Sequence, residues 1–486
     1  MRRLLSQTDG RILKLVELLY DKDELFMRDL CDELNVSFKT LKSDIENARL
    51  ILSPIDIKIS GNKGVKLEIP SNYSITYLYT ALLSASVEYT LLEKKFLCET
   101  YTVDELAENL FISSSSLRRM VDRINEILQE EEMKINLNPV QIIGNEYRIY
   151  NFFVHYLLER YYFKKNIFTK AQIEAVKELN DFVQKINYVE LEYRDRERLQ
   201  LFFLVQLTRM KNNHFFRKEP SPNPNRQKNF GGVDTSFSEK KISDSFYKEF
   251  SSENLIQLFF IFTEGKWCLD YNKLLEHSKT NVNLKETKEK FEVLIESIAS
   301  KYRIEQASRE DLLVQLCNSR MLNYGTYYLL YDNLSAIVKH FKHDYFEGIE
   351  FIRLKLIEIF DGEVLKEYKL NEYICLLIIH WDKFLIELEK EVTPLKIGFV
   401  YDVKEQYGNL IQDEISYRFK NRFTIQVIDG DCLMDEEKVK NQCDLILTNM
   451  PSIVIPGIKV ICFPIYPKEK DWSKLESFYY NFNFPK

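Results

Sequence analysis

The 486-residue chain carries 67 Lys and Arg against 74 Asp and Glu, a formal net charge of −7, with 45% hydrophobic residues. That length exceeds one core and predicts about three to five domains, while the acidic balance excludes a protein coated in basic surface. No apolar run approaches the roughly 18 residues of a membrane span, no signal core follows Arg2-Arg3, and eight scattered cysteines without a C-x-x-C pair exclude a disulfide framework and a zinc site, so a cytoplasmic, cofactor-free protein is expected.

In residues 1–72, Ile12, Leu15, Val16 and Leu19 recur at helical spacing, and Asp21-Lys-Asp-Glu breaks the pattern. Met27, Leu30, Cys31 and Leu34 make a short second helix. Asn35-Val-Ser37 is a turn, and Phe38, Leu41, Ile45 and Ala48 face the core from a third helix. Ile55, Ile57, Ile59 and Val65, Leu67, Ile69 alternate around Gly61-Asn-Lys-Gly64, a hairpin signature. The unit reads as a helix-turn-helix closed by a β-wing. Twelve Lys and Arg balance twelve Asp and Glu in residues 1–70, so any binding of nucleic acid there must rest on cations gathered on one face.

Residues 73–165 repeat the pattern. Residues 74–98 supply a first helix, and Leu106 and Leu110 mark a second. Behind Ser113-Ser-Ser-Ser116 a third carries Leu117, Met120, Val121, Ile124, Ile127 and Leu128 on one stripe, with Arg118, Arg119 and Arg123 off it. Ile135, Leu137, Val140 and Ile142 alternate as a second wing. One such unit alone is equally well an amphipathic helix pair in a bundle. A constant shift of 76, however, lays Leu30 on Leu106, Leu34 on Leu110, Ser37 on Ser113, Leu41 on Leu117 and Ile45 on Val121. An internal repeat of helix-turn-helix plus wing points to double-stranded DNA. The candidate contacts are Lys39, Lys42, Ser43 and Arg49 in the first recognition helix, Lys63 in its wing, and Ser115, Arg118, Arg119 and Arg123 in the second.

From Phe152 to about Glu391 the pattern is almost wholly helical. Leu199 to Arg209 and Leu255 to Phe262 are too apolar for surface helices, and polar Lys218 to Lys241 between them reads as a long mobile loop. A second helical block begins near Leu284 and closes on Asn371 to Trp381. Beyond Thr393-Pro394, strands at Leu395–Tyr401, Phe423–Ile428, Asp444–Thr448 and Val460–Phe463 alternate with helices, which predicts a small α/β domain with a parallel sheet. The fold class is therefore multidomain and predominantly α, with two tandem winged modules at the start and an α/β domain at the end.

Phe111-Ile-Ser-Ser-Ser-Ser-Leu117, Pro139-Val-Gln-Ile-Ile-Gly-Asn-Glu146, and Phe152-Phe153 followed by Tyr161-Tyr162-Phe163 resemble the Mga/AtxA-type transcriptional regulators of Gram-positive bacteria, a family that includes virulence regulators. The order of parts resembles that family over essentially the whole chain. The resemblance implies two winged helix-turn-helix modules (1–72 and 73–165), two phosphotransferase-system regulation domains, or PRDs (166–283 and 284–393), and a domain similar to the sugar-permease IIB component (394–486). It also implies a homodimer formed through the PRD and IIB-like parts, and a response to carbohydrate status through phosphocarrier proteins.

In PRDs of this kind the switch is histidine phosphorylation. The resemblance points to His380, which follows Glu372 and an apolar run; the alternative is an ordinary histidine near the end of a buried helix. His214 is either a second modified site or a cap on exposed helix carbonyls. In the first block the position of an early-helix histidine holds Phe202. A working IIB domain needs a cysteine after its first strand, where this chain reads Tyr401-Asp-Val-Lys-Glu-Gln406. That absence argues against a phosphotransferase enzyme, and the helical start argues against the other alternative, a PRD-containing RNA antiterminator.

Overall fold

Ser6 accepts a hydrogen bond from the Asp9 N–H and opens α1 (Gln7–Asp21), whose Ile12, Leu15, Val16 and Leu19 are buried. α2 (Met27–Leu34) and α3 (Phe38–Leu52) follow. β1 (Leu25–Phe26), β2 (Asp56–Ile59) and β3 (Gly64–Glu68) pair antiparallel in the order β1-β3-β2, with Ile57 opposite Leu67. Leu41, Ile45 and Ala48 face the core as expected. Phe38 does not: it is the first residue of α3 and lies exposed, one turn ahead of the buried stripe. This computed structural model describes the chain apart from residues 23, 62–63, 162–166, 188–189, 216–235, 251–256, 264–266, 306–307, 322–328, 362–364, 391–393, 429–435 and 484–486.

The second head is built likewise, with one difference at its start. The single helix expected over 74–98 is two, α4 (Ile75–Ala85) and α5 (Val87–Leu97). Ser86 breaks it by turning extended and accepting from the Tyr89 N–H, which caps α5. α6 (Val103–Asn109) starts in a Thr102–Glu105 capping box, and α7 (Ser114–Leu128) leads to β4 (Met133–Leu137) and β5 (Val140–Gly144), antiparallel with Ile135 opposite Ile142. α8 (Glu146–Tyr161) leaves the wing.

The two heads share one hydrophobic core. Tyr77 donates to the Ser53 carbonyl at 2.7 Å and Tyr79 to Glu17 at 2.7 Å, which ties α4 to the first head. α9 (Lys170–Asn187) and α10 (Tyr193–Lys211) continue that core, with the helix Ser236–Phe246 packed on α9 through Ile242 and Phe246. Most of the expected loop 218–241 lies outside the described residues, but its last part, Ser236–Lys241, is helix because Ile242 and Phe246 anchor it. Of the apolar stretch 255–262, the described part, from Gln257, is a short 3-10 turn and a one-turn helix, with Leu258, Phe259 and Ile261 buried.

The chain divides into two compact units, residues 1–289 with 313–335, and residues 290–312 with 336–486. The second unit has helices at Phe346–Ile359, Glu367–His380 and Phe384–Lys390. Phe291, Phe360 and Tyr373 meet in its helical core. β6 (Leu395–Val400), β7 (Phe423–Val427), β8 (Leu445–Thr448) and β9 (Lys459–Cys462) form a parallel sheet in the order β7-β6-β8-β9. The helices Glu405–Phe419 and Glu469–Asn483 cover one face, while Val439, Cys443 and Ile455 pack the other. Gly398 in β6 is needed there: a Cβ would meet Ile428, Ile446 and Cys443 side chains at 2.5 to 2.8 Å. Asp344 accepts from Tyr480 at 2.5 Å and pairs with Arg422 at 3.2 Å, fastening sheet to helices. Among the described residues no helix is long and apolar enough to cross a membrane.

Candidate nucleic-acid interface

The two helix-turn-helix turns match bond for bond. Val36 N–H donates to the Cys31 carbonyl at 3.0 Å, as Ile112 does to Ala107 at 3.0 Å. Asn35 donates to Asp32 at 3.2 Å, as Phe111 does to Glu108 at 3.0 Å. Asn35 and Phe111 both adopt left-handed backbone, at φ 53° and 55°. Ser37 then accepts from the Thr40 N–H at 3.2 Å, and Ser113 from Ser116 at 3.1 Å, so each recognition helix begins under the same serine cap. All these pairs are related by the shift of 76.

Lys39, Lys42 and Ser43 are exposed on α3, and Ser115, Arg118 and Arg119 on α7. Buried Leu41, Ile45 and Ala48, and Leu117, Val121 and Ile124, force these positions outward. Lys63 lies outside the described residues. Two expected contacts are engaged elsewhere. The Arg49 guanidinium donates to the Ile57 carbonyl and pairs with Asp56 at 3.2 Å, holding the first wing against α3. Arg123 donates to the Leu4 and Leu5 carbonyls at 3.3 and 3.0 Å and pairs at 2.5 Å with Glu88, whose side chain is buried. It joins the second recognition helix to the start of the first head, so it is a brace between heads. Helical periodicity places both arginines off the apolar stripe but does not say which polar partner they meet.

Asn125 of α7 braces the second wing. Its amide donates to the Ile135 carbonyl at 2.9 Å and accepts from the Ile135 N–H at 2.7 Å. At the base of the wing Gly144 has φ +145°, and a Cβ there would fall 2.2 Å from the Glu132 carbonyl oxygen, so only glycine fits.

Behind this wing lies a charged cluster that the sequence reading missed. Arg209, fully buried near the end of α10, donates to the Ile142 carbonyl of β5 at 2.8 Å, to Glu146 at 3.0 and 2.6 Å, and to Glu99 at 3.1 Å. His214 completes it, with Nε2 at 2.8 and 2.9 Å from the Glu99 carboxylate and Nδ1 at 3.7 Å from Glu146. A buried guanidinium needs such carboxylate company. His214 also caps α10, its backbone N–H donating to the Arg209 carbonyl at 3.0 Å, while its ring faces these two carboxylates. One available signal was an arginine just past the apolar run Leu199–Leu207.

His380, at the end of the helix Glu367–His380, is partly exposed, with Nδ1 at 2.9 Å from Asp311. Glu372 is not its partner, being buried and paired at 2.6 Å with Lys369. Phe202 packs against the unit-one core and meets Tyr150 edge to face. In the loop after β6, Asp402 N–H donates to the Asn449 side chain at 2.8 Å across the point where the strand order reverses. Cys443 is buried under the sheet, and Cys432 lies outside the described residues.

Comparison with known proteins agrees with the two heads. Residues 9–53 match the model of the M protein trans-acting positive regulator (MGA) HTH domain, and residues 71–157 that of the Mga helix-turn-helix domain. A Streptococcus pneumoniae protein named as a trans-acting regulator is 24% identical over 478 residues, 94% of each chain. The capsule synthesis positive regulator AcpB of Bacillus anthracis is 20% identical over 484 residues, 96% of this chain and 97% of that one. AcpA of the same organism is 25% identical over 207 residues, 42% of this chain and 43% of its own.

Proposed function

The chain belongs to the Mga/AtxA-type family of transcriptional regulators, and from that premise we propose that it binds duplex DNA with both winged heads and activates transcription as a homodimer. The observation that carries the reading is the helix-turn-helix turn built twice with the same bonds, each followed by a recognition helix with exposed cations and serines. Lys39, Lys42, Arg118 and Arg119 hold phosphates, while Ser43 and Ser115 sit where base edges are read. Arg49 and Arg123 support the surface without touching DNA.

The helical blocks 166–283 and 284–393 act as PRDs that take phosphate from sugar-transport phosphocarriers. His380 is the acceptor in the second block, partly open and beside Asp311. Phosphate on His214 would set about two negative charges against Glu99 and Glu146, and so act on the second wing. Residues 394–486 serve as a IIB-like dimerisation part without phosphotransfer, supported by the cysteine-free loop after β6 and by exposed Leu410, Tyr417, Val454 and Tyr466.

The test is a gel shift over a salt series with a duplex selected from a random-sequence pool. Arg118→Ala with Arg119→Ala is expected to weaken binding by at least about 1 kcal/mol and to lower the salt slope. An unchanged midpoint at all salts, with the fold intact, overturns the assignment.

A further inference from the structure

Phe111 is 96% exposed, so its ring adds nothing to the core, and it sits in left-handed backbone at φ 55°. A bulky side chain is disfavoured there, while asparagine and glycine are tolerated. The matching residue of the first head, Asn35, is one of the tolerated types at the same φ and in the same hydrogen bonds. The second head therefore keeps an aromatic ring in a costly conformation where folding alone favours asparagine. Such an outlier directs attention to function.

Its surroundings say what the ring meets. Phe111 lies two residues before the Ser113 cap of α7, on the approach to the helix whose exposed residues are Ser115, Arg118 and Arg119. A recognition helix enters the major groove by its N-terminal turn, which brings the preceding turn to the groove's rim. The apolar parts of a duplex at that rim are the thymine methyl groups and the faces of the deoxyriboses, and phenylalanine is a residue type that contacts thymine methyls.

We propose that Phe111 is a DNA-contacting residue of the second head, packing its ring on thymine methyls or deoxyribose at the edge of the major groove. The contact rests on the DNA-binding reading above. It is apolar, so it releases no counterions and leaves the salt dependence to Lys39, Lys42, Arg118 and Arg119. It also makes the heads unequal, since Asn35 brings no ring to the same place in the first.

The experiment uses the full-length protein and a duplex selected by the wild type from a random-sequence pool. Phe111→Asn is expected to melt as high as wild type or about 1–2 °C higher, because the left-handed backbone is relieved, yet to bind the duplex roughly tenfold more weakly at every salt concentration with an unchanged slope. Phe111→Tyr is expected to bind as wild type. The same duplex made with deoxyuridine in place of thymidine separates the two sources. A loss for wild type that is absent in Phe111→Asn assigns the methyls, and a loss only on mutation assigns the sugars. Wild-type affinity in Phe111→Asn overturns the contact, as does weaker binding that merely tracks a lowered melting temperature. If wild type enriches no duplex at all, the DNA-binding reading fails and the contact with it.

Discussion

Arg209 and Glu146 are joined by two hydrogen bonds, 3.0 and 2.6 Å, in a place where the arginine side chain has no exposure. Glu146 is the first residue of the helix that leaves the second wing, and Arg209 comes from the helical region 63 residues on. Replacing Arg209 by methionine leaves Glu146 and Glu99 facing each other without their cation. The expected cost is about 3–5 kcal/mol, read from urea unfolding. Adding Glu146→Gln to that variant should restore part of the loss, because one uncompensated carboxylate is removed.

Arg123 and the pair Arg118 and Arg119 lie on one helix and should respond oppositely to truncation. Arg123→Ala strands the buried Glu88 carboxylate and removes two interhead hydrogen bonds, so stability falls by about 1–3 kcal/mol. Arg118→Ala with Arg119→Ala, both exposed, should leave the melting temperature unchanged. Thermal melts of the two variants side by side check this, and equal losses would contradict the brace.

His155 gives a pH dependence with a fixed sign. Burial, helped by nearby Arg198, pushes its imidazole down to about 3. Between that value and the ordinary 6.5 the unfolded chain binds the proton and the folded chain does not. Its contribution is therefore complete above about pH 6.5 and falls as pH drops toward 3. From pH 7 to pH 5 the loss from this residue is roughly 2 kcal/mol. His155→Gln should flatten that part of the stability curve, measured as urea midpoints at several pH values.

His380→Asp, an acidic stand-in for the phosphorylated ring, is expected to change promoter output or the dimer fraction, because it places like charge beside Asp311. Removing residues 395–486 is expected to raise the monomer fraction in solution. Light scattering reads the mass of both variants and a promoter–reporter assay the output of the first, and wild-type behaviour of the histidine variant in output and mass would remove its phosphate role.

The tandem heads were legible because everything that makes them is local: a serine cap, an i, i+3, i+4 stripe and a Gly-bounded hairpin each fall within a few residues. The strands β6 to β9 were legible for the same reason. What escaped were bonds between distant residues. Arg123 and Glu88 are 35 positions apart, and Arg209 and Glu99 are 110 apart, so their charges read as solvated until the fold joins them. Ser86 was misread because its cap sits inside an otherwise continuous apolar pattern. Phe38 was misread because a helix's first residue falls at the edge of the periodicity that governs the rest.

The double amide bond between Asn125 and Ile135, with Arg123 and Arg209 gripping the same head from either end, leaves the second head little room to flex. Under the proposed function, adaptation then falls to the duplex. Sites whose flexible pyrimidine–purine steps let the groove widen or bend at low cost would be favoured even where no side chain touches a base. Part of the operator's sequence preference would thus be written in the stiffness of the DNA.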